Sequence, residues 1–267
     1  MNNCAVLIPV YNNGTGILSS IASINKDEYI DIVIVDDGSK TNLINEFKIK
    51  HAFKANGAVV FLKNTVNVGI EKALNYGLQY IINANYKYTA RLDAGDICLG
   101  MRFRIQEEYL KINIETKLLG SNASAVDMSG KEIFKYNFPL NHQEIIDKIY
   151  INAVFVHPTI MFCNDILEKT GLYPTKYLAA EDYGFTLKIA RKYKVENLSD
   201  CLVQVELNPN GISISRRKTQ IKSRIFVIVD NFYLGFNPLY GLIRNIVLYI
   251  APDNLIYFLK NKFVHKK

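Results

Sequence analysis

The sequence predicts an α/β fold in which a mostly parallel sheet is flanked by helices and followed by a helical C-terminal extension. Three observations lead there. Short apolar runs at Ala5–Val10, Ile30–Val35, Ala58–Leu62 and Tyr88–Leu92 alternate with helical patterns near Gly16–Ile24, Thr41–Ala55 and Gly69–Ala84, the spacing of βαβ units and of a parallel sheet. Two of those runs end in acids, Asp36-Asp37-Gly38-Ser39 and Asp93-Ala94-Gly95-Asp96, and open α/β sheets bind ligands at the carboxyl ends of their strands. Last, Leu239, Leu242, Ile243, Ile246, Val247 and Ile250 follow the i, i+3, i+4, i+7 rule, one apolar stripe of a helix.

The first strand ends in Ile8-Pro9-Val10-Tyr11-Asn12-Asn13, where proline removes a backbone donor and frees the loop to wrap a flat ligand. After Asp96 the rhythm changes. A helix over Gly100–Ile112 leads to strands at Leu118–Val126 and Glu132–Tyr136, with Ser129-Gly130 as the turn between them. Val156–Phe162, a helix from Asp182 to Lys194 and a strand near Asn197–Glu206 follow. This divides the chain into a catalytic body over 1–215, with a nucleotide-binding half (1–98) and an acceptor half (99–215), and a basic amphipathic tail over 216–267.

A chain of 267 residues with 49% apolar and 21% charged residues can bury a large single core. Cys4, Cys98, Cys163 and Cys201 are scattered without a C-x-x-C spacing, which predicts buried thiols in a reducing compartment. The first apolar run has no basic residues before it and contains Pro9, so a secretory signal is not expected. No run reaches the roughly 18 apolar residues of a membrane span. The net charge of +7 is concentrated: residues 216–267 carry ten Lys/Arg against Asp230 and Asp253, leaving −1 for the rest. A near-neutral body with a basic, aromatic tail points away from nucleic acid; the tail's apolar stripe either packs on the body or lies on an anionic membrane surface with its lysines toward the headgroups.

The acidic strand ends suit a phosphate-bearing ligand with a divalent cation. One of Asp36 and Asp37 can accept from a base N–H or a ribose hydroxyl, while Gly38 permits the tight turn. In Asp93-Ala94-Gly95-Asp96 the small residues let a diphosphate and its metal approach the backbone. Glu181-Asp182 either complements a helix macrodipole or supplies a general base for an incoming hydroxyl. His157-Pro158-Thr159 opens an apolar run, where a lone histidine is usually structural. Arg216-Arg217-Lys218 is a solvated helix start or a phosphate contact.

Taken together and in order, these segments resemble glycosyltransferase family 2, the inverting nucleotide-sugar transferases of the Rossmann-like GT-A fold. Ile8-Pro9-Val10-Tyr11-Asn12 is similar to the family's V-P-x-Y-N, and Val35–Ser39 to its V-D-D-G-S. Asn67-Val68-Gly69-Ile70-Glu71-Lys72-Ala73-Leu74-Asn75 resembles its N-x-G helix motif, and Arg91–Asp96 its metal-binding D-A-D-D, with Arg102 as the arginine that follows. His157–Met161, Ala180–Tyr183 and Ile212–Ser215 resemble motifs of the bacterial surface-polysaccharide branch.

The resemblance implies donor contacts from Pro9, Tyr11, Asn12, Asp36, Asp37, Asn67, Gly69, Lys72, Arg91 and Asp93, and acceptor contacts from His157 and Glu181. It makes Asp182 the base, assisted by Glu181, and assigns Mg²⁺ or Mn²⁺ to Asp93 and Asp96, the latter replacing an aspartate where this chain has Gly95. The Q-x-x-R-W motif of processive members is missing, and the chain has no tryptophan. The expected activity is therefore transfer of one sugar, from a UDP-linked hexose or N-acetylhexosamine, to a hydroxyl of a lipid-linked or lipopolysaccharide glycan. The expected location is the inner face of the bacterial plasma membrane, held there peripherally. Three competing readings are a catalytically impaired homologue that only binds nucleotide, a nucleotidyltransferase and a phospho-receiver. The second would need a basic phosphate loop, which Asn12-Asn13-Gly14-Thr15-Gly16 lacks. The third places its acids after the first strand.

Overall fold

The computed structural model describes residues 2–127, 129–207 and 216–252. Four parallel strands form the N-terminal half of one sheet: β1 (Cys4–Val10), β2 (Asp31–Asp36), β3 (Val59–Lys63) and β4 (Tyr88–Arg91). Their spatial order is β3-β2-β1-β4, so the β1 exit lies between the acidic ends of β2 and β4. Every residue of β2 is buried. That is why Asp-Ile-Val-Ile-Val-Asp reads as a continuous apolar run, since helices cover both faces of a parallel sheet. Helices α1 (Gly14–Ala22), α2 (Glu46–Ala52) and α3 (Ile70–Asn83) connect these strands. Asn13 and Asn45 cap the first two with their side-chain oxygens.

The C-terminal half mixes directions. β5 (Ile97–Cys98), α4 (Arg102–Ile112), β6 (Thr116–Val126), β7 (Glu132–Tyr136) and α5 (His142–Ile149) come first. A 3₁₀ turn (His157–Thr159), β8 (Met161–Cys163), α6 (Leu167–Thr170), α7 (Glu181–Ala190) and β9 (Lys194–Glu206) follow. β8 runs antiparallel between β4 and β6, β9 pairs parallel with β6, and β5 pairs antiparallel with β9. The strand expected over Val156–Phe162 is corrected here. Pro158 cannot donate to a ladder, and the segment is a 3₁₀ turn followed by three strand residues. The helix expected to reach Lys194 ends at Ala190, because Lys194 already pairs with Thr116 as the start of β9. The sequence reading missed β5, α5 and α6, all short elements.

Two further helices, α8 (Arg217–Asp230) and α9 (Phe236–Ile250), close the described chain. Val227 and Ile228 of α8 join the core, and α8 packs on α7. Tyr150 donates its hydroxyl to Asn231 O at 2.9 Å, and Arg244 of α9 reaches Ile151 O at 2.9 Å. The closing motif Ile212–Ser215 and the lysines from Lys260 onward lie outside the described residues. Cys4, Cys98 and Cys163 are buried and all four thiols are free.

Candidate active site

The donor-side carboxylates have unequal tasks. Asp37 is buried and accepts four hydrogen bonds, from Asn64 Nδ2 (2.8 Å), Asn67 Nδ2 (2.9 Å), Val68 N (3.0 Å) and Gly69 N (3.0 Å). A carboxylate offers about four acceptor positions, so Asp37 is spent on holding the 64–69 loop. Asn67 gives its amide, and Gly69 its N–H, to the same purpose. Gly69 has φ +97° as it enters α3, and Lys72 lies on the exposed side of that helix. Asp36 accepts from Ser39 N at 2.9 Å and keeps its second oxygen 3.9 Å from Lys63. Gly38, at φ +71°, lets the 64–69 loop cross directly over it: a Cβ there would meet Val66 C at 2.4 Å. Asn12 binds the β2 loop to the β1 exit, accepting from Lys40 N and Thr41 N, while Tyr11 is half exposed beside half-buried Pro9.

At the end of β4, Arg91 is wholly buried. Its guanidinium donates to Leu7 O and Leu92 O, pairs with Asp93 Oδ1, and places Nε 3.3 Å from His157 Nε2. Arg91 holds Asp93 at the strand end and fixes His157. Burial, and next the Arg91 charge, hold His157 well below the usual imidazole range, so it stays neutral, with Tyr173 Oη 2.8 Å from the same nitrogen.

Glu181 and Asp182 open α7. Asp182 lines a cavity of about 80 Å³, whose walls also include Phe155, His157, Tyr183, Gln220 and Arg224. Burial pushes Asp182 above the usual aspartate range. The Tyr183 N–H and the Arg224 charge oppose that rise, while Asp93 adds to it, which places Asp93 within electrostatic reach of Asp182. Glu181 is buried, its Oε2 has no hydrogen-bond partner, and burial together with Asp182 pushes it up to about 8. Arg224 belongs to α8, inside the segment expected to be a separate tail, so the pocket spans the boundary expected at residue 215.

A family model described as "Glycosyl transferase family 2" matches residues 5–171. The amylovoran biosynthesis glycosyltransferase AmsE of Erwinia amylovora is 31% identical over 97% of this chain and 98% of its own. The chain belongs to glycosyl transferase family 2. The O-antigen biosynthesis glycosyltransferase WbnJ of Escherichia coli is 26% identical over 76% of this chain and 79% of its own. In fold, the glycosyltransferase resembles S. aureus TarS 1-349, solved in complex with UDP-GlcNAc, with TM-score 0.68 and 18% identity over 93% of this chain and 73% of that one.

Family membership implies a divalent ion, and the residues present test it. Among the described residues no group of three His, Cys, Asp or Glu side chains is arranged to hold a metal. Asp96 is buried and turned toward β9, accepting from Glu206 N at 3.0 Å. Burial, with Asp93 beside it, raises its pKa well above the usual range. Asp96 thus braces β9 through one carboxylate oxygen. Asp93 remains, with part of its carboxylate exposed. A Cβ built on Gly95 would meet nothing closer than Asn13 Nδ2 and Glu206 Oε1, each at 3.8 Å, so the space of the missing side chain is open and a carboxylate borders it. Mg²⁺ needs only one or two protein carboxylates beside substrate phosphates, a set that Asp93 and Glu206 fit.

Sequence reasoning missed Tyr173, Glu206, Gln220 and Arg224. For Arg224 a signal existed: Ile221, Arg224 and Ile228 recur at i, i+3, i+7, which puts an arginine on the inward face of a helix.

Proposed function

We propose that this family 2 glycosyltransferase is inverting and moves a single sugar from a UDP-linked donor to a hydroxyl of a lipid-linked or lipopolysaccharide glycan. The observation that carries the reading is the pair Asp93 and Asp182. They lie within reach of each other's charge, and Arg91 and His157 link the first to the pocket of the second. Asp36 accepts from the base, and Asp93 lies at the sugar diphosphate. Asp182 takes the proton of the acceptor hydroxyl. The bond from that oxygen to the anomeric carbon forms as the bond to the diphosphate breaks, and nucleoside diphosphate leaves. A divalent ion held by Asp93 and Glu206 would neutralise the leaving diphosphate. Two relatives named for amylovoran and O-antigen biosynthesis, and a fold neighbour solved with UDP-GlcNAc, support the donor and acceptor classes.

We place the enzyme on the cytoplasmic face of the bacterial membrane through α8 and α9. What supports this is an apolar face that nothing described covers. Leu239, Ile243, Ile246, Val247 and Ile250 are exposed, and Leu234 in the connecting turn is 96% exposed. Most of the expected stripe thus points outward, while Leu242 packs against the core and Pro238, Gly241 and Asn245 are buried. Lys218 and Lys222 are exposed on the neighbouring helix, as interfacial helices require. No helix among the described residues is long and apolar enough to cross a membrane.

The deciding experiment is a donor screen on the intact protein by thermal shift, with UDP-, GDP- and dTDP-sugars, with and without Mn²⁺. UDP-sugars should raise the melting temperature, and more so with Mn²⁺. A response to GDP- or dTDP-sugars alone overturns the UDP assignment, and no response to any overturns sugar transfer.

A further inference from the structure

The acceptor pocket contains a charge that the proposed transfer does not use. Arg224 projects from α8 beside Asp182, and its guanidinium lies over the Tyr183 ring, 4.8 Å from the centroid. Its Nε and Nη2 are buried and have no hydrogen-bond partner. Each buried donor left unpaired costs free energy, more when it is charged. Arg224 makes no ion pair within 4 Å among the described residues, and neither does Arg244 on α9. Arg244 is nevertheless close enough that burial and then the Arg224 charge lower its pKa. Arg224 lines the cavity together with the Asp182 carboxylate, and its two unpartnered N–H groups set the donor character of that wall. Gln220, one turn before Arg224 on the same helix face, adds an amide to that wall.

We propose that Arg224 is an anion anchor for the acceptor. The glycan that enters beside Asp182 carries a carboxylate or a phosphate, and the free Nε–H and Nη2–H form the bidentate fork that either oxyanion accepts. The donor carboxylates Asp36 and Asp93 do not line this cavity, which favours the acceptor over the leaving diphosphate as the bound anion. The Tyr183 ring holds the guanidinium in place before the ligand arrives, so little is lost in ordering it. An acidic acceptor also suits Asp182: occupation of Arg224 by an anion removes part of the field that holds the base down, and its basicity rises when substrate is present.

This inference rests on the glycosyltransferase reading, and its test is chosen so that the two fail separately. Binding of methyl β-D-glucuronoside, methyl β-D-glucoside and methyl phosphate to the intact protein is measured by saturation-transfer NMR and titration. UDP affinity is measured on the same samples. The glucuronoside should bind roughly 10- to 100-fold more tightly than the neutral glucoside, the worth of one charge-assisted contact. Arg224→Met should erase that preference, Arg224→Lys should retain part of it, and both should leave UDP affinity unchanged. Binding of methyl phosphate in competition with the glucuronoside assigns the anchor to phosphate as well; glucuronoside binding without it assigns it to carboxylate alone. Equal affinity of native protein for the charged and neutral glycosides overturns the proposal, and needs no variant to fold. Loss of UDP affinity in Arg224→Met also overturns it, assigning the guanidinium to the donor diphosphate. Loss of UDP binding by the native protein would instead overturn the parent reading.

Discussion

Asp182 and Glu181 are adjacent in the chain, yet the fold gives them different protons. Glu181 is buried with an unsatisfied oxygen and ionises only near pH 8, whereas Tyr183 N–H and Arg224 oppose the rise at Asp182. A base works above its pKa and fails below it. Because burial raises Asp182, the acidic limb of kcat/KM should lie above the ordinary aspartate range, with activity lost as pH falls through it. Asp182→Asn should reduce turnover by roughly 10²–10⁴-fold at pH 7.5 while donor binding persists. Glu181→Gln should cost much less and leave the acidic limb where it is, since Glu181 already carries its proton while Asp182 titrates. The same variant should gain thermal stability over the native protein as pH approaches 8. Its folded pKa is raised, so native Glu181 contributes fully below the ordinary glutamate range and loses that contribution by about pH 8. If Glu181→Gln is the inactive variant and Asp182→Asn the active one, the roles are reversed.

Among the elements, the connection from β3 to α3 depends on one carboxylate. Four donors from Asn64–Gly69 converge on Asp37, and the loop crosses Gly38 too closely for any side chain. Asp37→Ala should therefore destabilise the fold by roughly 2–5 kcal/mol, the cost of leaving several buried donors unpaired, read as a lower urea midpoint. An unchanged midpoint would mean that the loop is held by packing alone. The motif Val35–Ser39 was legible in the sequence, but not the division of labour inside it. Two consecutive aspartates look equivalent in one dimension, and only the path of the 64–69 loop separates a loop clasp from a ligand contact. The same holds for Asp93 and Asp96. Their spacing suggests a shared cation, yet the two-residue strand β5 turns Asp96 to the backbone of β9. A strand that short has no periodicity to detect.

For the whole molecule, the exposed face of α9 and the basic C-terminal segment predict how the enzyme is held. Each basic residue near an anionic surface contributes about 1 kcal/mol, so several give reversible binding. The intact protein should co-sediment with anionic vesicles at low salt and be released by high salt. Paired substitutions Ile243→Glu and Val247→Glu, on exposed positions, should reduce binding without lowering the melting temperature. Failure of the native protein to bind anionic vesicles at low salt would leave that face without its proposed occupant. Removal of everything after residue 215 is a poor test, because Val227 and Ile228 belong to the core and Arg224 to the pocket.

The sequence by itself determined the alternation of strands and helices, the acidic ends of β2 and β4, the helix start at Glu181 and the family. Each of these is a local pattern of apolar period, turn residue or short motif, and such patterns survive in one dimension. Only the tertiary structure decided what each carboxylate is bonded to, that Arg91 is a buried organiser, and that α8 builds the pocket with Arg224. Those are consequences of long-range pairing, Arg91 to His157, Asp96 to β9, α8 to α7. A residue's charge is written in the chain, but the partner that uses it is chosen by the fold.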